Sequence, residues 1–271
     1  MKKIIIGAFL IGSCVTINAQ FNLNKALDVG SKGLKALTFT NADAAKLAKE
    51  GVDWMDKNNT VAGPKDPYTI RLNKLFSKHK SQDGLNLNYK VYKVTDINAF
   101  ACADGSVRVF SSLMDIMTDD ELLAVIGHEI GHVKNEDTKD AIKSAYLKAA
   151  AMDAASASSK TIATLNDSQL GAMANAMLDA SHSKKQESEA DTYSYDFMKA
   201  NGYDVVGAYR AFKKLALLSE EGGAKQSGFQ KMFNSHPDSN KRAEAVKKRA
   251  EKDGLWKDPG TVTLPTTKLT K

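Results

Sequence analysis

Residues 118–134 read TDDELLAVIGHEIGHVK, and this stretch decides the fold. Thr118 followed three residues later by Glu121 forms a capping box: the Thr118 hydroxyl accepts from the Glu121 amide while the carboxylate reaches back. Asp119 and Asp120 suit the positive end of the helix dipole. The helix that begins here runs through Leu122, Val125 and Ile126 to about Lys134. Its last turns carry His128, Glu129 and His132. Residues four apart lie on one helix face, so both imidazoles can point at one ion. Glu129 is rotated to one side and can reach a water held there, whose pKa zinc brings toward neutrality and whose proton a carboxylate can take. Average residue usage gives this pentapeptide by chance in on the order of one per cent of chains this long, so zinc outweighs coincidence.

A catalytic zinc site needs a third protein ligand and one open position. A later helix over about 184–200, ended by Asn201-Gly202, offers Glu187, Glu189 and Asp191. Glu187 and Asp191 are four apart and share a face, so one can bind the ion while the other accepts a histidine N–H. Glu189 points about 200 degrees away and reads as solvated. A purely structural zinc site would close with four protein ligands, often cysteines, and Cys102 is the only cysteine outside the N-terminal segment.

The strand signal is confined to residues 85–111. Leu85, Leu87, Tyr89 and Val91 alternate with polar residues after an Asp83-Gly84 turn. Asn98 to Cys102 forms a second short strand. Asp104-Gly105 turns the chain into a third that holds Val107, Val109 and Ser111. These strands predict a small antiparallel sheet. Residues 20–60 look helical, with Gly30 and Gly33 interrupting, and Gly63-Pro64-Lys65-Asp66-Pro67 breaks that region. An amphipathic helix with Ile70, Leu72, Leu75 and Phe76 as its apolar stripe follows. Residues 138–181 predict one long helix, or two broken near Asn166-Asp167. Further helices run from Asp204 to Gly222-Gly223 and from Asp238 to Gly254, with an unstructured tail from Trp256.

The chain has 271 residues, 42% hydrophobic and 26% charged, which fits a globular catalytic domain and excludes wholesale disorder. The formal charge of +6 is spread along helices, so a solvated surface is expected and no nucleic-acid partner. Lys2 and Lys3 precede a mostly apolar run from Ile4 to Ile17, and Asn18-Ala19-Gln20 reads as a cleavage site after Ala19. A second reading takes Ile11-Gly12-Ser13-Cys14 as a lipobox, with lipidation at Cys14 and an outer-membrane association. Either way the chain is expected to be exported. With the leader removed, Cys102 has no internal partner and is expected to be a buried thiol. His79 and His182 read as surface residues. The expected organisation is a leader over 1–19, a helical segment over 20–67, a catalytic domain over 68–254 and a tail over 255–271.

Three motifs stand in order: His128-Glu129-Ile130-Gly131-His132, then Glu187-Ser188-Glu189-Ala190-Asp191, then His236-Pro237. Together they resemble peptidase family M48, the HtpX-like zinc proteases, over about residues 68–250. Residues 98–115 and 187–195 look much like its small periplasmic members. The resemblance implies an α+β, mostly α, minigluzincin-like core that binds one Zn2+ per chain through His128, His132 and Glu187. It implies Glu129 as general base and Asp191 behind a ligand histidine. His236 would stand near the zinc, either donating to the oxyanion or occupying the open position in a closed state. Arg242 would hold that loop or the Asp191 region. The strand Asn98, Ala99, Phe100 and Ala101 would pair with an extended substrate backbone. The implied activity is hydrolysis of exported or unfolded proteins; the competing reading is an envelope chaperone or scaffold with latent protease activity.

Overall fold

Five residues in a row, Ser106–Phe110, are buried on both sides of one strand, and the architecture is arranged around them. The computed structural model describes residues 39–150, 164–220 and 235–265. The leader reading and the lipobox Cys14 lie outside these residues. So do the first part of the N-terminal helical segment, the middle of the 138–181 run, Gly222 and Gly223, and the last part of the tail.

The helices start where the sequence supplies caps. Helix α1 (Asn41–Asn58) carries a capping box between Thr40 and Asp43. Helix α2 (Pro67–Phe76) has Asp66 as N-cap and Pro67 in its first turn, where a missing N–H costs nothing. Leu72 and Phe76 are its buried face; Ile70, expected in the stripe, is 57% exposed because it lies two residues, about 200 degrees, from Leu72. Two short strands, β1 (Ser81–Gln82) and β2 (Leu85–Asn86), pair antiparallel across Asp83 and Gly84, both at positive φ. That is the conformation a two-residue hairpin turn requires.

The main sheet holds β3 (Asn88–Tyr92), β4 (Ala99–Ala101) and β5 (Ser106–Phe110) in the order β3-β5-β4. β4 pairs antiparallel with β5, as the Asp104-Gly105 turn predicts, and a Cβ on Gly105 would overlap the Asn86 carbonyl. β3 pairs parallel to β5, so the main sheet is mixed rather than wholly antiparallel. Alternation fixes which face of a strand is buried, not which neighbour it meets or in which direction. The central strand is covered on both faces, which suits its all-buried pattern. Arg108, in its middle, reaches Asp56 of α1 through Nε at 2.8 Å and Nη2 at 3.0 Å. Lys90 and Tyr92 bond the same carboxylate.

Ser111, expected to end the returning strand, begins helix α3 (Ser111–Ile116). Helix α4 (Asp119–Lys134) follows, with the Glu121 carboxylate accepting the Thr118 N–H at 2.7 Å. Helices α5 (Asp137–Ala150), α6 (Asp167–Leu178), α7 (Lys184–Ala200), α8 (Val206–Glu220) and α9 (Ser239–Lys252) complete the chain. Asn166 caps α6, and Ser183 with Gln186 forms a capping box on α7.

Two apolar clusters share the sheet. One gathers α2, α4, α7, α8 and α9 against Val91, Val107 and Val109. The other gathers α1, α5 and α6 around Tyr92, Phe110 and the buried thiol Cys102. His79, expected at the surface, is buried in the first cluster, packs on Phe76 and Phe197, and bonds the Tyr203 hydroxyl at 2.7 Å. Beyond α9, Trp256 packs edge-on against Tyr209. No helix among the described residues is long and apolar enough to cross a membrane.

Candidate metal centre

Glycine sets how closely the two site helices approach. A Cβ on Gly131 of α4 would lie 3.1 Å from Ala190 Cα and 3.2 Å from Ala190 O of α7. One turn earlier, a Cβ on Gly127 would lie 3.1 Å from the Phe197 ring. This bare face lets α7 press against α4, and Ser194 locks the contact by donating to the Ala124 carbonyl at 2.6 Å. Glu187 and Asp191, one turn apart on α7, are thereby carried to His128 and His132.

The donor atoms converge. His128 Nε2 lies 3.0 Å from His132 Nε2. Glu187 Oε1 lies 3.2 Å from His132 Nε2, and Oε2 lies 3.6 Å from His128 Nε2. His236 Nδ1 stands 3.3 Å from His128 Nε2 and 3.0 Å from Glu187 Oε1. All four residues are buried. In a tetrahedron with zinc–nitrogen bonds near 2.05 Å, ligand atoms sit about 3.3 Å apart, and these separations bracket that value. Glu187 Oε2 is buried without a well-aligned hydrogen bond, although Arg242 Nη1 approaches it to 2.8 Å as an ion pair. Zinc therefore fits the donor set.

Carboxylates behind the histidines fix their tautomers. His128 Nδ1 faces Asp191 Oδ1 at 2.9 Å, and His132 Nδ1 faces Asp137 Oδ2 at 2.9 Å. With both Nδ1 protons given to carboxylates, both Nε2 lone pairs would face inward, 3.0 Å apart, where a shared cation would be favoured. Asp191 is held by Arg242, whose Nε and Nη2 bond its two oxygens at 2.9 and 2.6 Å. The guanidinium carbon of Arg242 in turn lies over the Phe212 ring, 4.1 Å from its centroid. Asp137 accepts Gln186 Nε2 at 2.9 Å, while Gln186 Oε1 accepts the Ser183 N–H of the α7 cap.

Burial, Arg242 and His132 push His128 well below the ordinary histidine range, so it is a neutral donor. Burial opposes the ionised Glu187, but His132 and His236 hold it far below the usual carboxylate range. Burial raises Glu129, which makes it a better proton acceptor than a solvated glutamate. Its Oε1 lies 3.5 Å from His236 Nε2.

Of the residues singled out from sequence, His128, Glu129, His132, Glu187, Asp191 and His236 come together here. Arg242 joins them through Asp191 and Glu187. Glu189 is exposed and, among the described residues, pairs with Lys185 at 3.6 Å. Asn98, Ala99, Phe100 and Ala101 form the open edge of the sheet and line a cleft with Glu129, His132 and His236. The Ala99 N–H is already taken by Asn98 Oδ1 at 2.9 Å. Asp238 precedes α9 in a left-handed conformation and makes no side-chain cap; its carboxylate meets Lys184 at 3.2 Å and Lys241 at 3.6 Å.

Sequence reasoning missed Asp137 and misplaced His182. Asp137 follows His132 by five residues, past a turn in which Glu136 takes φ 63; an acid just beyond the metal helix was the available signal. His182 is half-buried and stacks on His132, with ring centroids 3.8 Å apart and 16 degrees between planes. Burial and its histidine neighbours depress its pKa to about 3, so its ring is neutral. His132, Asp137 and His182 are close enough to suggest a second ion. Stacked parallel rings, however, cannot aim their in-plane lone pairs at one point, so His182 is a wall and not a ligand.

The family model for peptidase family M48 matches residues 72–250. The chain is 40% identical to Metalloprotease YcaL of Escherichia coli (strain K12) over 89% of its length and 93% of that protein. It is 35% identical to Metalloprotease LoiP of the same organism over 92% of its length and 96% of that protein. A shorter likeness, 41% over 21% of this chain and 20% of the other, is to Protease HtpX of Alkalilimnicola ehrlichii.

Proposed function

The chain belongs to peptidase family M48 and is a zinc metalloprotease, and from that premise we propose that it is an exported endopeptidase acting on unfolded proteins. In this reading His128, His132 and Glu187 hold the zinc and Glu129 is the general base. The observation that carries it is the convergence of buried donor atoms 3.0 to 3.6 Å apart, with Glu129 beside them. The chemistry zinc supplies when bound is polarisation of a peptide carbonyl and acidification of a water.

The chain's own residues do the rest. Glu129 takes the proton of the attacking water and returns it to the leaving amine. Asp191 and Asp137 keep the Nδ1 protons of His128 and His132 turned away from the ion. Arg242 pairs with both Asp191 and Glu187. The edge of β4 receives the substrate backbone by strand addition. His236, whose Nδ1 lies among the donor atoms, would compete with water for a bound ion, so this arrangement is read as a latent one. Export rests on the leader reading of residues 1–19.

Purified protein incubated with casein tests the proposal, beside Glu129→Gln, Glu187→Gln, Glu189→Gln and a chelator control. Hydrolysis should vanish in Glu129→Gln with zinc retained, vanish in Glu187→Gln with zinc lost, and survive Glu189→Gln. Hydrolysis by Glu129→Gln, or zinc loss in Glu189→Gln alone, would refute the assignment.

A further inference from the structure

The cleft between β4 and the metal centre continues past the reacting groups. Beyond His132 it runs under α5 and α6, where Ala141, Ile142, Met177 and Leu178 line it. Apart from Glu129 and the histidines at its inner end, none of its lining residues is ionisable at neutral pH. A charged side chain entering this part would lose its water and gain no partner, whereas an apolar one would be favoured.

The strand edge supplies the approach. β4 bonds to β5 through the Asn98 carbonyl, which accepts from Phe110 N at 3.0 Å, and the Cys102 N–H, which donates to Ser106 O at 2.9 Å. In an antiparallel ladder, alternate residues turn their main-chain groups to opposite sides, so those of Ala99 and Ala101 face the open edge. An extended peptide laid there projects alternate side chains to one face, and the hollow under α5 and α6 adjoins that edge. Thr138, at the start of α5, also lines this cleft.

Met177 has support from outside the family domain. A Cβ on Gly51 of α1 would meet Met177 Sδ at 3.1 Å, so α1 braces this wall. The flexible thioether suits a wall that must fit several apolar shapes.

We infer that the hollow lined by Ala141, Ile142, Met177 and Leu178 is a specificity pocket for one apolar side chain of the peptide bound along β4. The inference rests on the peptidase reading, and binding without turnover separates the two. Zinc-loaded Glu129→Gln protein is titrated into dye-labelled nonapeptides of Ala and Ser with one central residue, Leu, Phe, Asp or Lys, and anisotropy is followed. The Leu and Phe peptides should bind roughly tenfold tighter than the Asp and Lys peptides. Ala141→Leu, which fills the hollow, should remove the advantage of Phe. Met177→Lys should shift preference to the Asp peptide, and it keeps the idea testable if Ala141→Leu folds poorly. Equal affinities, no binding, or a preference that neither variant alters would overturn the pocket. Selective binding with no cleavage by either the wild-type protein or His236→Ala would leave the pocket standing and refute the peptidase reading. Cleavage without apolar preference would do the reverse.

Discussion

Replacing Gly131 by Ala tests whether the closeness of α4 and α7 builds the centre. The new Cβ would sit 3.1 Å from Ala190 Cα and from Tyr193 Cβ. Carbon atoms prefer about 3.5–4.0 Å, so α7 must retreat by roughly 0.5 Å. The obstructing atoms belong to or adjoin the helix backbone, so no rotamer change relieves the contact. Overpacking costs about 1–3 kcal/mol, while Ala in place of Gly within a helix returns about 1 kcal/mol. The net loss of stability is therefore small, about 0–2 kcal/mol. The effect on the centre is larger in proportion, because α7 carries Glu187 away from His132, now 3.2 Å distant. A displacement of about 1 Å at a reacting centre costs on the order of a hundredfold, so half of that predicts about a tenfold loss in peptide hydrolysis. A similar loss is expected in zinc affinity. The assay pairs urea melts with a competitive zinc titration and a peptide turnover rate. Gly63→Ala is the control, since nothing lies within 4 Å of a Cβ at that position. Wild-type zinc affinity and turnover in Gly131→Ala would refute the claim that this contact sets the ligand spacing.

Other expectations follow from the same contacts. Asp137→Asn should reduce zinc affinity or activity about 10- to 100-fold, as should Asp191→Asn, because each leaves a histidine without its orienting carboxylate; an unchanged Asp137→Asn would reduce that residue to packing. His236→Ala should keep zinc, bind it more weakly and cleave a short peptide several-fold faster, since its Nδ1 stands 3.0 Å from Glu187 Oε1 among the donors. A loss of roughly 10²- to 10³-fold with zinc retained would instead make it an oxyanion donor. Asp56 gives an acid-stability prediction: burial opposes its charge, but bonds from Arg108, Lys90 and Tyr92 hold its pKa down to about 2. A depressed carboxylate stabilises above its unfolded value, near 3.9, and loses that contribution as pH falls through about 2. The gap in urea stability between wild type and Asp56→Asn should therefore shrink between about pH 4 and pH 2, and a gap constant across that range would contradict the pairing.

Most of the helical frame and most of the candidate centre are legible in local sequence. The α4 capping box, the 128/132 spacing and the 187/191 spacing depend on bonds and periodicity within a few residues, which sequence records directly. Glu189 could be set aside for the same reason. The sheet was only half legible. The Asp104-Gly105 turn announces the β4–β5 hairpin, whereas nothing local says that β3 reaches the far side of β5 and runs parallel to it.

What the sequence determined by itself was the helical phase that turns two imidazoles and two carboxylates to common faces, and the order of three motifs that belongs to one family. The tertiary structure alone decided which groups stand behind and beside them. Asp137 turns to His132 because Glu136 adopts a left-handed turn, and His182 stacks on His132 because the α7 cap delivers it there. The cleft lies between β4 and helices α5 and α6, and α1 packs on α6 through Gly51 and Met177. These are contacts between residues distant in the chain or across a turn of unusual conformation. Their energies depend on how closely bare faces such as Gly127 and Gly131 allow helices to approach, and no period or spacing along the chain encodes that distance.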